Sequence, residues 1–399
     1  MKNTLRTPAL LLFFVACAGL RAAEAPMQAI VRDSLEFSAA QYTRMLAQVD
    51  GRKDYPRSVD KGETTFVRPT DWTSGFYPGS LWYLFEATGD PKWRDAAANS
   101  TAGLVAMQDY RGTHDLGFIL FCSYGNGLRL TGDASYRQVL LKGAESLSSR
   151  FNTTVGCIKS WDGRRAWPYP VIIDNMMNLE LLTWAAKASA TPRFNDIAVS
   201  HADTTLRNHF RADSSSFHVV DYDPATGKVR SRVTFQGAAD NSAWARGQAW
   251  GLYGFTMMYR ETRDPRYIEQ AKKIAAFVLN HPRLPADKIP YWDFDAPDIP
   301  VAPRDASAAA IMSSALFELS DYVDPVTGRG YLAVAEQQLR SLASPAYRAK
   351  LGENHNFLLM HATGHFPAHS EIDVPINYAD YYFLEALLRC KARLTRPAL

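Results

Sequence analysis

Apolar and polar positions follow a recurring phrase along the chain that joins one helix to the next. An apolar helix end gives way to a polar turn and then to a new helix led by an aromatic residue, as in Leu84–Trp93, Leu128–Tyr136 and Tyr259–Tyr267. Thr191–Phe194 and Tyr322–Pro325 are weaker copies. Glycine can end a helix in the left-handed conformation, aspartate can cap the next helix, and proline fits its first turn. The phrase therefore predicts helical hairpins spaced roughly every 45 to 75 residues.

The helices on the two sides of these turns differ in polarity. Arg94–Asn99 carries several polar side chains, whereas Gly251–Met258 is apolar on nearly every face. A helix with one polar face lies at the surface, and a helix that is apolar all round is buried. Alternating exposed and buried helices predict an all-α fold of two concentric rings, an α/α toroid. A plain helical bundle or a solenoid fits the same periodicity.

One segment departs from the helical pattern. Val219–Val229 has the alternation and the central polar turn of a β-hairpin, and Val233–Phe235 extends it. We expect this small β-hairpin insertion, near residues 217–235, at one rim of the toroid, where loops carry function.

The composition is that of a large globular chain. Of its 399 residues, 47% are hydrophobic and 12% are aromatic, and the formal net charge is +3. So small a charge gives no support for nucleic-acid binding. Tryptophan and tyrosine rings often line sugar sites, because their flat apolar faces match sugar rings, although a large core accounts for them equally well.

The first 25 residues have the pattern of an export signal. Lys2 and Arg6 precede the short apolar run Ala9–Leu20, and Ala23-Glu24-Ala25 fits a cleavage site. We therefore expect a signal peptide at residues 1–25, a single domain at residues 26–399 and a periplasmic or secreted protein without a membrane span. A second interpretation is a lipoprotein anchored through Cys17, which follows Val15 and Ala16.

Two aspartates stand alone in apolar segments. Asp115 lies in His114–Phe118, and Asp174 lies in Ile173–Asn178. A buried carboxylate is costly unless it is paired, hydrogen-bonded or neutralised. Each aspartate is near a predicted helix start, so a role as N-cap accounts for either one. If instead the two meet at the mouth of the toroid, one can hold a proton while the other stays charged, as an acid–base pair requires.

Arg246 and nearby tryptophans supply candidate binding groups. Arg246 lies four residues before Trp250, so the two share a helix face. A guanidinium beside an indole suits a sugar carboxylate, and the alternative is a structural arginine that satisfies loop carbonyls. Trp72 lies in the glycine-punctuated segment Asp71–Gly79, where it can form either a sugar wall or a packing corner.

Taken together, these motifs resemble those of unsaturated glucuronyl hydrolases, glycoside hydrolase family 88. The resemblance spans about Asp71 to Arg389 and rests on five stretches: Asp71–Gly79, His114–Phe118, Ile172–Asn178, Ser242–Gly254 and Asn377–Leu387. It implies an (α/α)6 barrel. It also implies removal of a 4,5-unsaturated uronic acid from the non-reducing end of an oligosaccharide made by a polysaccharide lyase.

The resemblance further implies the roles of individual residues. Asp174 would act as general acid and base, and Asp115 would support it. The implied binding residues surround the uronate or line the sugar pocket: His114, His218, Gln236, Arg246, Trp250, Trp72 and Trp161. No metal or other cofactor is implied. The expected partner is an unsaturated oligosaccharide and not nucleic acid, and we expect a monomer or a weak dimer.

Three other functions compete with this one. An unsaturated rhamnogalacturonyl hydrolase acting on pectin fragments would share the barrel and the chemistry, although the contexts of His114–Phe118 and Arg246–Gly251 favour the glucuronyl family. A non-catalytic exported sugar-binding protein would need no paired aspartates. A conventional inverting glycosidase would protonate the leaving oxygen itself. We expect rim loops such as Asn354–Pro375 to select the parent polysaccharide.

Overall fold

Helices dominate the computed structural model, which describes residues 25–163 and 166–395. The predicted signal peptide and Cys17 lie outside the described residues. Within them the α-helices are α1 (Met27–Val49), α2 (Phe76–Thr88), α3 (Pro91–Ala102), α4 (Asn126–Thr131), α5 (Ala134–Ser148), α6 (Leu179–Ser189), α7 (Pro192–Asn208), α8 (Ala245–Thr262), α9 (Pro265–Leu279), α10 (Ala306–Leu319), α11 (Pro325–Leu342) and α12 (Asn377–Leu394). Within the described ranges, none of the helices combines the length and the apolar character that a membrane span requires.

Six helical segments form a closed inner ring. They are α2, the π-helical segment Gly117–Gly125 with α4, the 3-10 segment Ile173–Asn178 with α6, and then α8, α10 and α12. Each packs on the next, and α12 packs on α2. An inner-ring helix is covered on all sides by its neighbours. In α8, accordingly, every residue from Ala245 to Met258 is buried.

The remaining helices form an outer ring. Helices α3, α5, α7, α9 and α11 each pack on the inner segment that precedes them in the chain, and α1 packs on α12. These outer helices are amphipathic: α9, for example, buries Tyr267, Ala271, Ile274 and Val278 along one face. The predicted (α/α)6 barrel is therefore confirmed. Because the inner ring closes through the packing of α12 on α2, an open solenoid is excluded.

The turns from inner to outer helices match the recurring phrase of the sequence. Gly89 ends α2 in the left-handed conformation with φ of 69°. The Asp90 carboxylate then accepts a hydrogen bond from the backbone N–H of Lys92 at 2.9 Å, and caps α3. Asp264 caps α9 in the same way, although Arg263 takes the place of the glycine with φ of 60°. These turns all lie where the inner helices end.

Short strands occupy segments that lead into the inner helices. They are β1 (Tyr55–Asp60), β2 (Glu63–Val67), β3 (Phe151–Asn152), β4 (Cys157–Ile158), β5 (Pro170–Ile172), β6 (Val219–Tyr222), β7 (Val229–Val233), β8 (Ala362–His365) and β9 (Ser370–Val374). The predicted hairpin is β6–β7, and β5 pairs antiparallel with β6 to make a three-stranded sheet. The strand β5 runs directly into the segment Ile173–Asn178, so the sheet fixes the start of that inner segment.

Candidate active site

A cavity of about 220 Å³ lies where four of the six inner segments begin. Trp72 precedes α2, Asp115 precedes the π-helical segment, Asp174 lies in the first turn before α6, and Tyr378 lies in the first turn of α12. The cavity is lined by Arg57, Trp72, His114, Asp115, Trp161, Ile172, Asp174, Phe235, Gln236, Gly364, His365, Ser370, Glu371 and Tyr378. Helix N-termini carry partial positive charge, so this end of the barrel favours carboxylates and anionic ligands.

Asp115 is held in its ionised form by its immediate neighbours. The Thr113 hydroxyl donates to Oδ2 at 2.5 Å, and His114 Nε2 lies 3.1 Å from Oδ1. Burial alone would raise the pKa of Asp115, but the charge and hydrogen bond of His114 and the Thr113 hydroxyl outweigh it and lower the pKa below its ordinary value. Asp115 therefore provides a fixed negative charge at the cavity wall.

Asp174 has the opposite electrostatic environment. Only 7% of the residue is exposed, and Oδ2 has no hydrogen-bond partner among the described residues. Burial raises the pKa of Asp174 to about 6, against the lowering effect of Arg246 and His114, and the charge of Asp115 adds to the rise. The helical segments near both aspartates begin without a side-chain cap, so the N-cap interpretation does not apply. The two carboxylates share one cavity with pKa values moved apart, which is the arrangement of an acid–base pair.

His218 lies directly behind Asp174. Its Nδ1 accepts the backbone N–H groups of Phe235 and Gln236, each at 3.1 Å. The ring proton of the neutral imidazole is thereby assigned to Nε2, which is 3.7 Å from Asp174 Oδ2. Burial lowers the pKa of His218 well below its ordinary value, and Arg246 lowers it further. These contacts indicate a neutral His218 whose protonated Nε2 lies near Asp174 without forming a hydrogen bond to it.

Aromatic side chains and an amide complete the walls. Trp72 packs on Tyr378 with ring centroids 5.0 Å apart, and Trp161 packs on Phe235 at 5.3 Å. Gln236 Nε2 donates to the carbonyl of Gly364 at 3.0 Å. Of the residues predicted from the sequence, the structure thus brings six together on the cavity wall: Trp72, His114, Asp115, Trp161, Asp174 and Gln236.

Arg246 differs from its predicted position. Its side chain is 1% exposed and does not line the cavity. Nη1 pairs with Asp305 Oδ2 at 3.0 Å and donates to the carbonyl of Thr363 at 2.5 Å, while Nη2 donates to the carbonyl of Gly364 at 2.6 Å. The guanidinium therefore satisfies loop carbonyls and joins α8 to the start of α10 and to β8, as the structural alternative expected.

Trp250 also differs, and the predicted platform of Arg246 with Trp250 is not formed. Trp250 is fully buried and packs between Phe118 and Tyr382, with ring centroids 5.2 and 5.5 Å away. The Arg246 guanidinium lies instead over Trp244, 4.6 Å from the ring centroid. Arg246 and Trp250 share a face of α8, but that face is buried because α8 belongs to the inner ring. Helical spacing shows which residues share a face and not whether the face is exposed.

Two charged residues on the cavity wall were not singled out in the sequence. Glu371 lies in the rim loop Asn354–Pro375, which was expected to select substrate. Arg57 gave no signal, since it belongs to a short strand without helical or alternating pattern, and its partner Glu371 is 314 residues away.

The sequence and the fold of this chain are similar to those of known glycoside hydrolases. A model of Glycosyl Hydrolase Family 88 matches residues 52–283. A Formosa agariphila protein named unsaturated glucuronyl hydrolase is 48% identical over 343 residues, which cover 85% of this chain and 85% of that protein. A Streptococcus agalactiae protein named unsaturated chondroitin disaccharide hydrolase is 34% identical over 328 residues, covering 80% of this chain and 81% of the relative. A crystal structure described as an unsaturated glucuronyl hydrolase specific for heparin superposes with a TM-score of 0.90 at 50% identity, over 92% of this chain and 99% of that one.

Proposed function

The chain belongs to glycosyl hydrolase family 88, and from this premise we propose that it removes the 4,5-unsaturated uronic acid from the non-reducing end of lyase-generated glycosaminoglycan oligosaccharides. The observation that carries the proposal is the placement of Asp115 and Asp174 at one cavity, with pKa values moved in opposite directions. The names of the relatives, which mention glucuronyl groups, chondroitin disaccharides and heparin, support the glycosaminoglycan class.

The reaction proposed for this site is hydration of a vinyl ether. Asp174, protonated over part of the population near pH 6, donates its proton to C4 of the C4=C5 bond. Positive charge then develops at C5 and the ring oxygen. Water adds its oxygen to C5 and returns a proton to the Asp174 carboxylate, so the residue ends in its starting state. The C5 hemiketal opens to a ketone, which leaves a hemiacetal at C1. This hemiacetal collapses to an aldehyde as the bond from C1 to the glycosidic oxygen breaks, and the remaining sugar leaves as an alcohol.

Asp115 and His218 support that proton transfer in different ways. The ionised Asp115 carboxylate stabilises the cationic character that appears at C5 in the transition state. His218 Nε2 lies 3.7 Å from Asp174 Oδ2, beyond hydrogen-bond distance, so its N–H acts on this otherwise unpartnered oxygen through its dipole. We assign Asp174 as the acid and base, Asp115 as the electrostatic support, and His218 as a positioning residue.

The decisive experiment follows the ultraviolet absorbance of the conjugated C=C bond. The protein is incubated separately with unsaturated disaccharides from chondroitin, hyaluronan and heparin, and with an unsaturated rhamnogalacturonan disaccharide. We expect the absorbance to disappear with one or more of the glycosaminoglycan substrates. Loss confined to the rhamnogalacturonan substrate would support the pectin alternative, and binding without any loss would support a sugar-binding protein.

The acid–base assignment is tested by Asp174→Asn. Without the titratable proton we expect turnover to fall by at least about a thousandfold, in line with loss of a general acid, while binding of the disaccharide is largely kept. The matched control is Asp196→Asn on α7, an exposed aspartate in an outer helix, which should leave turnover unchanged. An active Asp174→Asn protein would refute the assignment.

Export and assembly are proposed alongside the activity. The N-terminal pattern of Lys2, Arg6 and the apolar run Ala9–Leu20 supports export to the periplasm or beyond, with lipid attachment at Cys17 as the alternative. We propose a monomer or a weak dimer. Cell fractionation with mass measurement of the mature N-terminus distinguishes cleavage after Ala25 from lipidation, and sedimentation of the purified protein reports its assembly state.

A further inference from the structure

A substrate that ends in a uronate brings a carboxylate into the cavity, where hydrogen-bond donors must replace the water that the carboxylate loses. The buried Arg246 has both Nη atoms engaged by loop carbonyls and does not line the wall. The guanidinium that does line the wall is that of Arg57. We infer that Arg57 binds an anionic group of the substrate and that Glu371 and Asp71 position it. This inference rests on the proposed function for the class of substrate.

The backbone of β1 directs Arg57 toward the cavity. In the pairing of β1 with β2, Pro56 opposes Phe66 and Ser58 opposes Thr65, so Arg57 is the extra residue of a β-bulge. A bulge re-aims a side chain relative to the regular alternation of the strand, and bulges are over-represented beside active sites. The 23% exposed side chain of Arg57 therefore reaches the cavity instead of following the pleat.

Glu371 reaches Arg57 through a second irregular backbone position. Its φ is +54°, a left-handed conformation that non-glycine residues adopt at some cost in free energy. A Cβ atom placed on Gly364 would lie 2.4 Å from Glu371 Oε2, so the carboxylate occupies space that only a glycine leaves open. The carbonyl of that glycine accepts hydrogen bonds from Arg246 and Gln236. Two irregular strand positions and one glycine are thus arranged around a single charge pair on the cavity wall.

The hydrogen bonds of Arg57 hold its guanidinium but do not saturate it. Nε and Nη2 donate to the two carboxylate oxygens of Glu371 at 2.6 and 2.9 Å, and Nη1 donates to Asp71 Oδ2 at 2.8 Å. Arginine has five N–H groups, so one on each Nη remains without an acceptor among the described residues. Asp71 is itself fixed, because its Oδ1 accepts from both the backbone N–H and the hydroxyl of Thr73. The fork is pre-organised, so little side-chain entropy is lost when an anion binds.

The proposed substrate carries two kinds of anionic group, so the group that Arg57 binds is either the carboxylate of the terminal uronate or a sulfate on the sugar that follows. Two substrates distinguish these sources. One is the unsaturated uronate linked to a neutral sugar, whose charge is its carboxylate alone. The other is the same disaccharide with a sulfate on the second sugar.

The test measures turnover of both substrates by wild type, Arg57→Gln and Arg57→Lys, with calorimetric Kd values in the Asp174→Asn background. We expect Arg57→Gln to raise KM and Kd about ten- to a hundredfold, as loss of a charge-assisted hydrogen bond does, with kcat nearly unchanged. Arg57→Lys keeps the charge but not the fork and should lie between. The matched control is Arg94→Gln on α3, an exposed arginine paired with its neighbour Asp95, which should change nothing.

Weakening of both substrates assigns Arg57 to the uronate carboxylate, and weakening of the sulfated one alone assigns it to the sulfate. Unchanged KM and Kd for both would overturn the inference, as would a Kd change fully reproduced by Arg94→Gln. Glu371→Gln should raise KM less than Arg57→Gln does. Glu371→Asp, which keeps the carboxylate, should give a KM between those of wild type and Glu371→Gln. A purely structural role of Glu371 would not predict this order of KM values. Since Kd is measured without turnover, an inactive wild type would refute the proposed function while the role of Arg57 is still decided.

Discussion

At the scale of single residues, the two cavity aspartates show how neighbours set a carboxylate's chemistry. Both are nearly fully buried. Asp115 receives a hydroxyl hydrogen bond and lies beside His114, whereas Asp174 Oδ2 has no hydrogen-bond partner among the described residues. The same desolvation therefore ends in a lowered pKa for one and a raised pKa for the other.

This difference predicts the pH dependence of kcat/KM. The acid form of Asp174 is present below its pKa of about 6 and is lost above it, so kcat/KM should fall about tenfold per pH unit on the alkaline side. On the acid side, activity should fall only below the ordinary aspartate range, where Asp115 takes up a proton. A pH series from acid to neutral with one disaccharide measures both limbs. A rate that keeps rising through neutral pH would contradict the assignment of Asp174 as the acid.

The two tryptophans Trp250 and Trp161 should respond differently to substitution. Trp250 is fully buried against Phe118 and Tyr382, so Trp250→Phe should lower the free energy of unfolding by about 2 kcal/mol, less than a full truncation, with little change in KM. Trp161 lines the cavity, so Trp161→Phe should raise KM with a smaller effect on stability. Urea unfolding and steady-state kinetics on both variants give the comparison. If Trp250→Phe raised KM and Trp161→Phe did not, Trp250 and not Trp161 would be the residue that contacts substrate.

The sequence predicted the residues whose role depends on a local motif. Asp115, Asp174 and Trp72 stand in short stretches that already carry their chemistry, and the structure places all three on the cavity wall. Arg246 was placed by helical spacing, which describes a face but not what covers it. Arg57 was missed because its role depends on a bulge and on a carboxylate distant in sequence, neither of which leaves a local pattern.

At the scale of elements, the turns between inner and outer helices are determined locally. Asp90, Asp133, Asp264 and Asp324 each accept backbone N–H groups in the first turn of the following helix. Such caps need only residues adjacent in sequence, which is why the helical hairpins could be predicted. The strand pairs β1–β2 and β8–β9 were not predicted, because these strands are short and their backbones are irregular.

Loss of one cap should reduce stability without affecting the cavity. Asp324 accepts from the backbone N–H groups of Val326 and Thr327 at 3.0 and 3.1 Å, so Asp324→Ala should lower the free energy of unfolding by about 1 kcal/mol. Since this turn lies where the inner helices end, kcat/KM should be unchanged. Urea titration measures the first quantity. Asp196→Ala, at an exposed position inside α7, is the control and should shift stability by less than about 0.5 kcal/mol.

At the scale of the whole molecule, Glu385 connects four inner helices. Its Oε1 accepts the hydroxyls of Tyr83 on α2 and Tyr253 on α8 at 2.8 and 3.1 Å, and its Oε2 accepts the hydroxyl of Ser314 on α10 at 2.5 Å. Glu385 itself belongs to α12. Arg389, one turn further along α12, lies 3.8 Å from its carboxylate. Helices that are far apart in sequence are thus held together by one buried carboxylate.

Removal of this carboxylate should therefore destabilise the barrel as a unit. Glu385→Ala removes the acceptor shared by three buried hydroxyls, and among the described residues only Tyr83 and Tyr253 keep another hydrogen-bond contact, with Tyr381 and Arg389. We expect a loss of about 3 kcal/mol or more in the free energy of unfolding. Thermal unfolding should remain a single transition at a lower midpoint. Glu269→Ala, which removes an exposed ion pair on α9, is the matched control and should cost less than about 1 kcal/mol. Equal effects of the two substitutions would contradict this role of Glu385.

Closure of the rings is the part of the fold that local patterns leave open. The alternation of exposed and buried helices predicted two layers, yet a solenoid has the same alternation. What distinguishes the closed barrel from a solenoid is the packing of α12 on both α2 and α1. These contacts join residues near the two ends of the described chain, so no local pattern predicts them.

The orientation shared by the inner helices has a consequence for how such an enzyme can be retargeted. Four of the inner segments begin beside the cavity, and the capped turns follow the ends of inner segments, at the other end of the barrel. The segments that face substrate, such as β1–β2 and β8–β9, are thereby separated from the turns that specify the hairpins. Because Arg57 joins β1 to Glu371 on β9, we expect a change of sugar preference to require exchange of both strand pairs together, while the aspartate-capped turns keep the helical scaffold intact.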